Sequence, residues 1–199
     1  GVIDVIERGE VALGDVTALA HGTTVVINTL TERTGARTGL VTTRGFRDIL
    51  QIARGNRPDM YNLVPQKPVA FVPRRFRYEV TERVDRNGTV LKPLALDELD
   101  GIADAIAAAE LEAVAVCFLH AYTHPEHEHA CRDFLRERLD GVAITASSDV
   151  TREWREYERT STAVLTSYVQ PRVAQYVNEL EQRLESAGLS GPLQIMQSN

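Results

Sequence analysis

The sequence predicts an α/β fold, in which a mixed, mostly parallel β-sheet is flanked by helices. Short apolar segments alternate along the chain with amphipathic helical segments, an order that produces right-handed βαβ units. One short segment, Ala113–Leu119, is apolar throughout, which is typical of a strand that a parallel sheet buries on both faces. The pair Asn87-Gly88 lies between alternating apolar positions and predicts an additional antiparallel hairpin.

Five segments are predicted to be strands because they are short, apolar and bounded by turn residues. They are Thr17–His21, Thr38–Thr43, Ala113–Leu119, Val142–Ala146 and Leu193–Met196. Five further segments are predicted to be helices, either because their apolar residues share a helical face or because capping residues mark their ends. They are Thr23–Arg33, Phe46–Arg54, Asp97–Leu111, Pro125–Leu139 and a tract from about Arg152 to Ala187.

Residue types at the helix ends refine these boundaries. Thr23 or Thr24 is predicted to cap the first helix, and Asp97 is a candidate cap for the third. Thr123 and Glu126 have the spacing of a capping box at the start of the fourth helix. Pro171 interrupts the last tract and predicts a kink or a break there.

Residues 55–95 are predicted to form an irregular connector followed by a β-hairpin. Four prolines between positions 58 and 73 exclude a regular helix from the connector. Long irregular segments in compact domains are often functional surfaces. The hairpin strands are predicted at Phe76–Val84 and Thr89–Leu91, on either side of the Asn-Gly turn.

The composition is that of an ordinary globular protein and argues against two kinds of partner. The chain has 199 residues, of which 43% are hydrophobic and 25% charged. No apolar run reaches the roughly 18 residues that span a membrane. A net charge of -6 without a basic stripe argues against nucleic acid as a partner.

Cys117 and Cys131 are isolated, so we expect reduced thiols and a cytoplasmic location. Because the chain starts with Gly1 and stops just after a predicted strand, we expect a piece of a longer protein.

The run His21-Gly22-Thr23-Thr24 joins a predicted strand to a predicted helix and is the first candidate site. Gly22 lets a ligand approach the backbone closely, and the threonines offer hydroxyl and amide donors at the positive end of a helix. His21 could bind a ligand or relay a proton. The alternative is a structural turn in which the threonines only cap the helix.

A second hydroxyl-rich turn, Thr42-Thr43-Arg44-Gly45, follows the next predicted strand. If the two strands are parallel, both turns leave the same edge of the sheet and form one site, because ligands of α/β sheets bind at the carboxyl ends of the strands. Simple helix capping is again the alternative. Arg54 follows the next predicted helix and could hold a carboxylate or a phosphate, or it could lie in a solvated loop.

Two charged tracts complete the set of candidates. Four of the five histidines lie within ten residues, but two of them point to different helix faces and no second cluster completes a tetrahedral set, so we expect no metal site. Glu156 and Arg159 share a helical face in a tract of alternating acids and arginines. This tract indicates either part of a site or a salt-bridged exposed helix.

Taken together, these runs resemble the N-terminal region of the ATP-dependent hydantoinase/5-oxoprolinase family, whose relatives include nucleotide-using subunits of acetone- and acetophenone-type carboxylases. The matching runs occur in the family's order and cover nearly the whole chain. They are His21-Gly22-Thr23-Thr24 with Asn28, Glu32-Arg33 and Gly35-Ala36-Arg37; Thr42-Thr43 with Gly45-Phe46-Arg47-Asp48; Pro125 with His127-Glu128; Ser147-Ser148 with Arg155-Glu156-Tyr157-Glu158-Arg159; and Ile195-Met196-Gln197-Ser198-Asn199.

The resemblance implies an actin/sugar-kinase/Hsp70-like lobe that lacks its first strands, within a longer protein that holds ATP and Mg2+ between two lobes. It also implies that ATP cleavage drives the opening of a hydantoin or 5-oxoproline ring through phosphorylation of the amide oxygen. Residues 152–199 are expected to lead into the second lobe. A second subunit or C-terminal domain of the hydantoinase B type is the expected partner in an oligomer, and the family's glycine-rich phosphate loop is expected upstream of Gly1.

We therefore predict that one set of residues binds the substrate or the nucleotide, and we assign no catalytic residue. The set is His21, Gly22, Thr23, Thr24, Asn28, Thr42, Thr43, Arg54, Glu156 and Arg159. Two alternatives remain open. The first is a carboxylase subunit that uses ATP to activate a ketone or bicarbonate, and the second is a binding or assembly domain without catalysis. The piece alone is expected not to hydrolyse ATP.

Overall fold

The computed structural model describes residues 5, 8–9, 12–56, 61–62, 64 and 68–196. These residues belong to two compact units, which divide between Gly35 and Ala36 and between Pro171 and Arg172. The continuous segment between these points is called the central unit here, and the two flanking segments together are called the terminal unit. None of the helices in the described residues is both long enough and apolar enough to cross a lipid bilayer.

Strands and helices alternate along the described chain, as the sequence predicts. In order, the strands are β1 (Leu19–His21), β2 (Thr38–Thr43), β3 (Arg77–Val80), β4 (Arg83–Val84), β5 (Val90–Lys92), β6 (Ala113–Cys117), β7 (Ala143–Ala146) and β8 (Leu193–Ile195). The helices are α1 (Val25–Glu32), α2 (Ile49–Ile52), α3 (Leu96–Ala108), α4 (Glu126–Arg138), α5 (Ser147–Val150) and α6 (Glu156–Ser186), with short 3-10 turns at Leu13–Asp15 and Arg74–Phe76.

The central unit is built on a four-stranded parallel sheet with the strand order β3-β2-β6-β7. Every residue of β2 and β6 is buried, which agrees with the uninterrupted apolar run that predicted an inner strand. Helices α3 and α4 contribute Leu99, Ile106 and Leu135 to the core, and all three are completely buried. This sheet confirms the predicted α/β class.

The antiparallel hairpin is shorter than predicted. Only β4 and β5 pair with each other, around a turn in which Asp85 Oδ1 accepts hydrogen bonds from the amides of Asn87 and Thr89, each at 2.8 Å. Arg77–Val80, in the first half of the predicted strand Phe76–Val84, is a strand, but its predicted pairing in the hairpin is wrong, because it joins the main sheet as β3, parallel to β2. The chain turns at Thr81, whose amide donates to Glu98 Oε2 at 2.7 Å.

Several predicted helix ends are also wrong. The predicted helix Phe46–Arg54 is reduced to the single turn α2, which ends at Ala53 because this residue adopts a positive φ angle. Asp97 lies inside α3, which starts one residue earlier without a side-chain cap. The capping box is absent too, since Thr123 Oγ1 donates to the carbonyl of His120 instead. Helix α6 contains Pro171 without a break.

The terminal unit contains a two-stranded parallel sheet in which β1 pairs with β8. Strands β1 and β2 therefore belong to different sheets, and the expectation that one sheet edge carries both hydroxyl-rich turns is wrong. The described part of the connector, at 55–56, 61–62, 64 and 68–75, holds no strand and only the start of the 3-10 turn. Positions 57–60, 63, 65–67 and 197–199 lie outside the described residues, including the Ser198-Asn199 pair of the resemblance.

Gly191→Ala is expected to destabilise the terminal unit. A Cβ at this position would lie 2.5 Å from the carbonyl oxygen of Thr17 and 2.7 Å from that of Val16. Both are backbone atoms of the segment that enters β1, so they cannot move without disturbing its pairing with β8. We expect the free energy of unfolding, measured by urea denaturation, to fall by about 1–3 kcal/mol.

The matched control is Gly101→Ala, inside α3, where a Cβ would meet no described atom within 4 Å. Because alanine favours the helix, this variant is expected to gain about 0.5–1 kcal/mol in the same measurement. Equal losses in both variants would contradict the close backbone contact at Gly191.

Candidate functional site

The turn after β1 places the first group of predicted site residues at the start of α1. Thr23 Oγ1 accepts a hydrogen bond from the amide of Val25 at 3.2 Å, so Thr23 performs the structural role that was the alternative interpretation. Thr24 is the N-cap residue, but its side chain is exposed and makes no capping bond. A Cβ on Gly22 would meet no described atom within 4 Å. The turn is therefore open above Gly22 and Thr24.

His21 and Asn28 lie on either side of this turn. His21 Nε2 is 2.7 Å from the hydroxyl of Tyr176 on α6, which fixes the orientation of the imidazole within the terminal unit. Asn28 is exposed on the second turn of α1. A histidine, an amide and an exposed hydroxyl thus lie within eight residues at the amino end of a helix, where partial positive charge favours an anion.

Thr42 and Thr43 have hydroxyls that are already used inside the central unit. Thr42 Oγ1 donates to the carbonyl of Cys117 at 2.9 Å. Thr43 Oγ1 donates to the buried carboxylate of Glu82 and accepts from the amide of Leu119 at 3.1 Å. Both threonines are almost completely buried, so these bonds join the carboxyl ends of β2 and β6. Their role in ligand binding stays a prediction.

A buried carboxylate, Glu128, organises the carboxyl ends of β6 and β7. Its oxygens accept hydrogen bonds from the amide of Phe118 at 2.8 Å and from the hydroxyl of Ser147 at 2.6 Å. They also accept from the amide and the hydroxyl of Ser148, at 3.0 and 2.7 Å. Four donors compensate the cost of removing this charge from water. Glu128 therefore holds the start of α5 against the end of β6.

Arg159 extends this network to α6. The guanidinium is completely buried and donates to Ser147 Oγ and to the carbonyl of Glu153, each at 3.1 Å, and to the carbonyl of Phe118. Its Nη2 also lies 2.7 Å from Glu156 Oε2. The interpretation of this tract as an exposed salt-bridged helix is wrong for Arg159.

Glu156 is the least protected member of the network, with 23% of its side chain exposed. Burial raises the pKa of its carboxyl above the ordinary value, while Arg159 and the backbone amide of His120 act in the opposite direction. A partly exposed carboxyl with a raised pKa at the carboxyl end of a sheet is a common feature of functional sites. Glu156 is thus brought together with Arg159.

Arg54 lies at the surface of the central unit, with its Nε 2.6 Å from Glu158 Oε1. That hydrogen bond is the main cause of the lowered pKa of Glu158. Glu158 is two residues from Glu156, so Arg54 contacts the same tract of α6 through a different acid. The structure does not bring Arg54 into contact with Thr42 or Thr43 among the described hydrogen bonds and ion pairs.

The sequence analysis did not identify Glu82, and it named Glu128 only as part of the family resemblance. A signal for Glu128 was present, because positions 128, 131 and 135 recur at helical spacing and place a carboxylate on the buried face of α4. Glu82 carried no such signal, since it lies in the short link between β3 and β4. The partner of its second oxygen is His127, whose Nδ1 is 2.9 Å away.

The clustered histidines have separate partners. His127 pairs with Glu82, and His129 Nε2 lies 3.2 Å from Asp149 Oδ1. The ring of His120 packs near that of Tyr122. No group of three or more His, Cys, Asp or Glu side chains in the described part of the chain could hold a metal ion. Both cysteines are buried free thiols, and burial raises the pKa of each.

Comparison with known families matches nearly the whole sequence. The model of the hydantoinase/oxoprolinase N-terminal region matches residues 1–139, and the hydantoinase/oxoprolinase model matches residues 159–199. The caprolactamase alpha subunit of Pseudomonas jessenii is 31% identical over 189 residues, which cover 94% of this chain and 27% of the relative. The 5-oxoprolinase of Saccharomyces cerevisiae is 28% identical over 94% of this chain and 16% of the relative.

Two solved structures share the fold. The crystal structure of the ATP-dependent caprolactamase from Pseudomonas jessenii has a TM-score of 0.87 and 29% identity, over 93% of this chain and 27% of that one. The nucleotide-free structure of acetone carboxylase has a TM-score of 0.82 and 25% identity, over 96% of this chain and 29% of that one. The chain thus spans less than a third of the length of each of these relatives.

Ser147→Ala is expected to weaken the central unit by about 1–3 kcal/mol, because it leaves Glu128 without one donor and Arg159 without one acceptor in a buried site. Urea denaturation followed by circular dichroism measures this loss. Ser186→Ala, at the exposed end of α6, is the control and is expected to change the free energy of unfolding by less than about 0.5 kcal/mol. A loss at Ser147 no larger than the control would contradict the role of this hydroxyl.

Glu156→Gln is expected to change how stability depends on pH. Because the pKa of Glu156 is raised in the folded state, its carboxyl favours folding below the pKa of the unfolded chain. That contribution is lost as the pH rises through the raised value. The stability of the wild-type protein relative to the variant should therefore fall between acidic and neutral pH, as measured by urea denaturation at a series of pH values.

Glu98→Gln provides a control of opposite sign. Hydrogen bonds from Thr81 and Arg44 lower the pKa of Glu98, so its contribution is present above the unfolded-state pKa and is lost as the pH falls. The stability of the wild-type protein relative to this variant should rise with pH. If the stability of the wild-type protein relative to each variant changed with pH in the same direction, the described environment of Glu156 would be contradicted.

Proposed function

Because the chain belongs to the hydantoinase/oxoprolinase family, we propose that it is part of an enzyme that opens a cyclic amide at the expense of ATP. The proposed substrate class is a hydantoin or 5-oxoproline ring. The similarity to caprolactamase, whose name indicates a lactam substrate, supports a cyclic amide as the shared element. All of these compounds have an unreactive amide carbonyl, which ATP can activate.

The observation that carries this proposal is the open turn between β1 and α1. Gly22 leaves the space above the backbone free, and Thr24 presents a hydroxyl that no capping bond uses. Amide and hydroxyl donors at the amino end of a helix suit a phosphate group. We propose that this turn binds a phosphate of ATP or the oxyanion that develops on the amide, with His21 and Asn28 beside it.

The donors of this turn suit the phosphate chain of ATP, and Mg2+ is proposed to enter with the nucleotide, since Mg2+ is commonly held by one or two carboxylates and substrate phosphates. When bound, ATP supplies the phosphoryl group that makes the amide carbon susceptible to water. The contribution of the chain is to orient these groups and stabilise negative charge with fixed donors.

In the central unit, Glu156 is the residue best suited to contact a ligand. Its carboxyl is partly exposed, and burial raises its pKa toward neutral pH. A carboxyl with such a pKa is better suited to proton transfer than an ordinary glutamate. Arg159 is proposed as a positioning residue, because the guanidinium is fully buried and reaches a ligand only through Glu156. Thr42, Thr43 and Arg54 are proposed to border the same region.

A second candidate function is ATP-dependent carboxylation of a ketone. The similarity to acetone carboxylase over 96% of the chain favours this alternative, and a ketone also presents a carbonyl oxygen that phosphorylation can activate. The two candidates differ in the compound that should stimulate ATP turnover.

In both cases we propose a cytoplasmic, oligomeric enzyme with a partner subunit or domain of the hydantoinase B type. Residues 152–199 are proposed to lead into a second lobe.

Thr24→Val is expected to lower kcat/KM of the complete enzyme about tenfold to a hundredfold, because it removes a donor to the developing negative charge. Steady-state ATP turnover should be measured in parallel with hydantoin, 5-oxoproline, caprolactam and acetone plus bicarbonate. Stimulation by a cyclic amide supports the first candidate, and stimulation by acetone supports the second. If no compound stimulates turnover, both candidates are contradicted.

Thr31→Val is the matched control on the same helix. Its hydroxyl donates to backbone carbonyls of α1, at 2.9 Å for Ile27, and points to no open turn. This variant is expected to keep kcat/KM within about twofold of the wild-type value, because surface changes of this kind cost little. Equal losses in the two variants would assign the effect to the helix rather than to the Thr24 hydroxyl.

A further inference from the structure

A hollow of about 480 Å3 in the central unit is lined mainly by arginine side chains. It lies beside β3, the outer strand of the four-stranded sheet. The arginines come from three neighbouring segments: the turn after β2, the 3-10 turn before β3 and the start of β3 itself. They are Arg44, Arg47, Arg74, Arg75 and Arg77.

Arg77 is the unusual member of this group, since its side chain is only 2% exposed. Its Nε donates to the carbonyl of Val72 at 3.0 Å. Its Nη1 is buried and has no hydrogen-bond partner, and the carboxylate oxygen recorded nearest to it, Asp48 Oδ1, is 3.9 Å away. A buried guanidinium without a carboxylate in close contact is costly unless other negative charge lies near it.

The acids around the hollow do not supply that acceptor. Asp48 is bound by Arg74, with both of its oxygens used at 2.8 and 3.0 Å. Glu79 accepts from the amide of Gly45 at 2.7 Å and lies 3.6 Å from Arg47 Nε, which also lacks a hydrogen bond.

The third acid near the hollow also has partners. Glu98 pairs with Arg44 at 2.9 Å and also accepts from Thr81. Five arginines thus face three carboxylates, and positive charge is left in excess at the hollow. Burial is the main cause of the lowered pKa of Arg77, while Asp48 raises that pKa and the charges of Arg74 and Arg47 lower it further.

We propose that this hollow binds a phosphate-type oxyanion, either inorganic phosphate or the phosphate group of a nucleotide. A tetrahedral dianion can accept from several guanidinium groups at once, and the planar arginine fork matches its geometry. Such an anion accepts from the exposed arginines of the hollow and neutralises the excess charge beside the buried guanidinium of Arg77. The site goes beyond the proposed function, which places an anion at the turn between β1 and α1.

Isothermal titration calorimetry at low ionic strength tests the proposal, with inorganic phosphate and ATP titrated separately into the wild-type protein. Arg47→Gln and Arg75→Gln are expected to weaken phosphate binding at least about tenfold, because each removes a charge-assisted donor. Both side chains are partly or fully exposed, so these variants should fold. Arg77→Lys is expected to weaken binding too, with folding checked by circular dichroism.

Two controls locate the binding. Arg138→Gln removes an exposed arginine that pairs with Asp100 and Asp104 on α3, and it should leave the phosphate affinity unchanged. Thr24→Val reports on the proposed nucleotide turn, so only binding that this variant keeps and the arginine variants weaken is assigned to the hollow. Loss of binding in the Thr24 variant with none in the arginine variants would overturn the proposal, as would the absence of any phosphate or ATP binding by the wild-type protein.

The two titrations also separate the sources of the phosphate group. Tighter binding of ATP than of phosphate, with both weakened by Arg47→Gln, supports a nucleotide as the occupant. Binding of phosphate alone that the same substitution weakens supports free phosphate. If Arg47→Gln and Arg138→Gln weaken phosphate binding equally, the effect is one of net charge and the hollow is not a site.

Discussion

The buried carboxylate of Glu128 is the interaction on which the central unit depends most. It accepts four hydrogen bonds from the residues that follow β6 and β7, and one of its donors, Ser147, accepts in turn from Arg159 on α6. A charged group at this depth is tolerated only when its oxygens are fully paired, so the positions of the strand ends and of both helices are specified together. The one partly exposed acid of this network, Glu156, is placed by the others.

The same requirement explains why polar residues are abundant at the carboxyl ends of the strands. Thr43 and Glu82, which are buried, and His127, which is partly buried, form a second chain of contacts with the same structural role. Each hydroxyl or carboxylate satisfies a backbone amide or another side chain that the sheet alone leaves unpaired. Rigid strand ends of this kind can hold a ligand-binding group with little reorganisation.

The sequence predicted the class of the fold and the bounds of β2, because short apolar and β-branched segments between helical ones are typical of buried parallel strands. It misplaced Arg77–Val80, since local alternation cannot distinguish a hairpin strand from one that pairs with a distant partner. The capping predictions at Asp97 and Thr123 failed because tertiary contacts decided those ends. Of the candidate site, only the contact between Glu156 and Arg159 followed from helical spacing. Which predicted residues bind a ligand depends on contacts that no local pattern encodes.

The position of β3 has a consequence for solubility. An outer strand exposes unpaired backbone groups, and such an edge can recruit a strand from another molecule. Here the segment that leads into the edge carries Arg74 and Arg75, and the strand itself begins with Arg77. Concentrated positive charge makes pairing with a second copy unfavourable, since the same charges would meet across the new interface. The exposed charges of Arg74 and Arg75 therefore disfavour association of two copies through this edge.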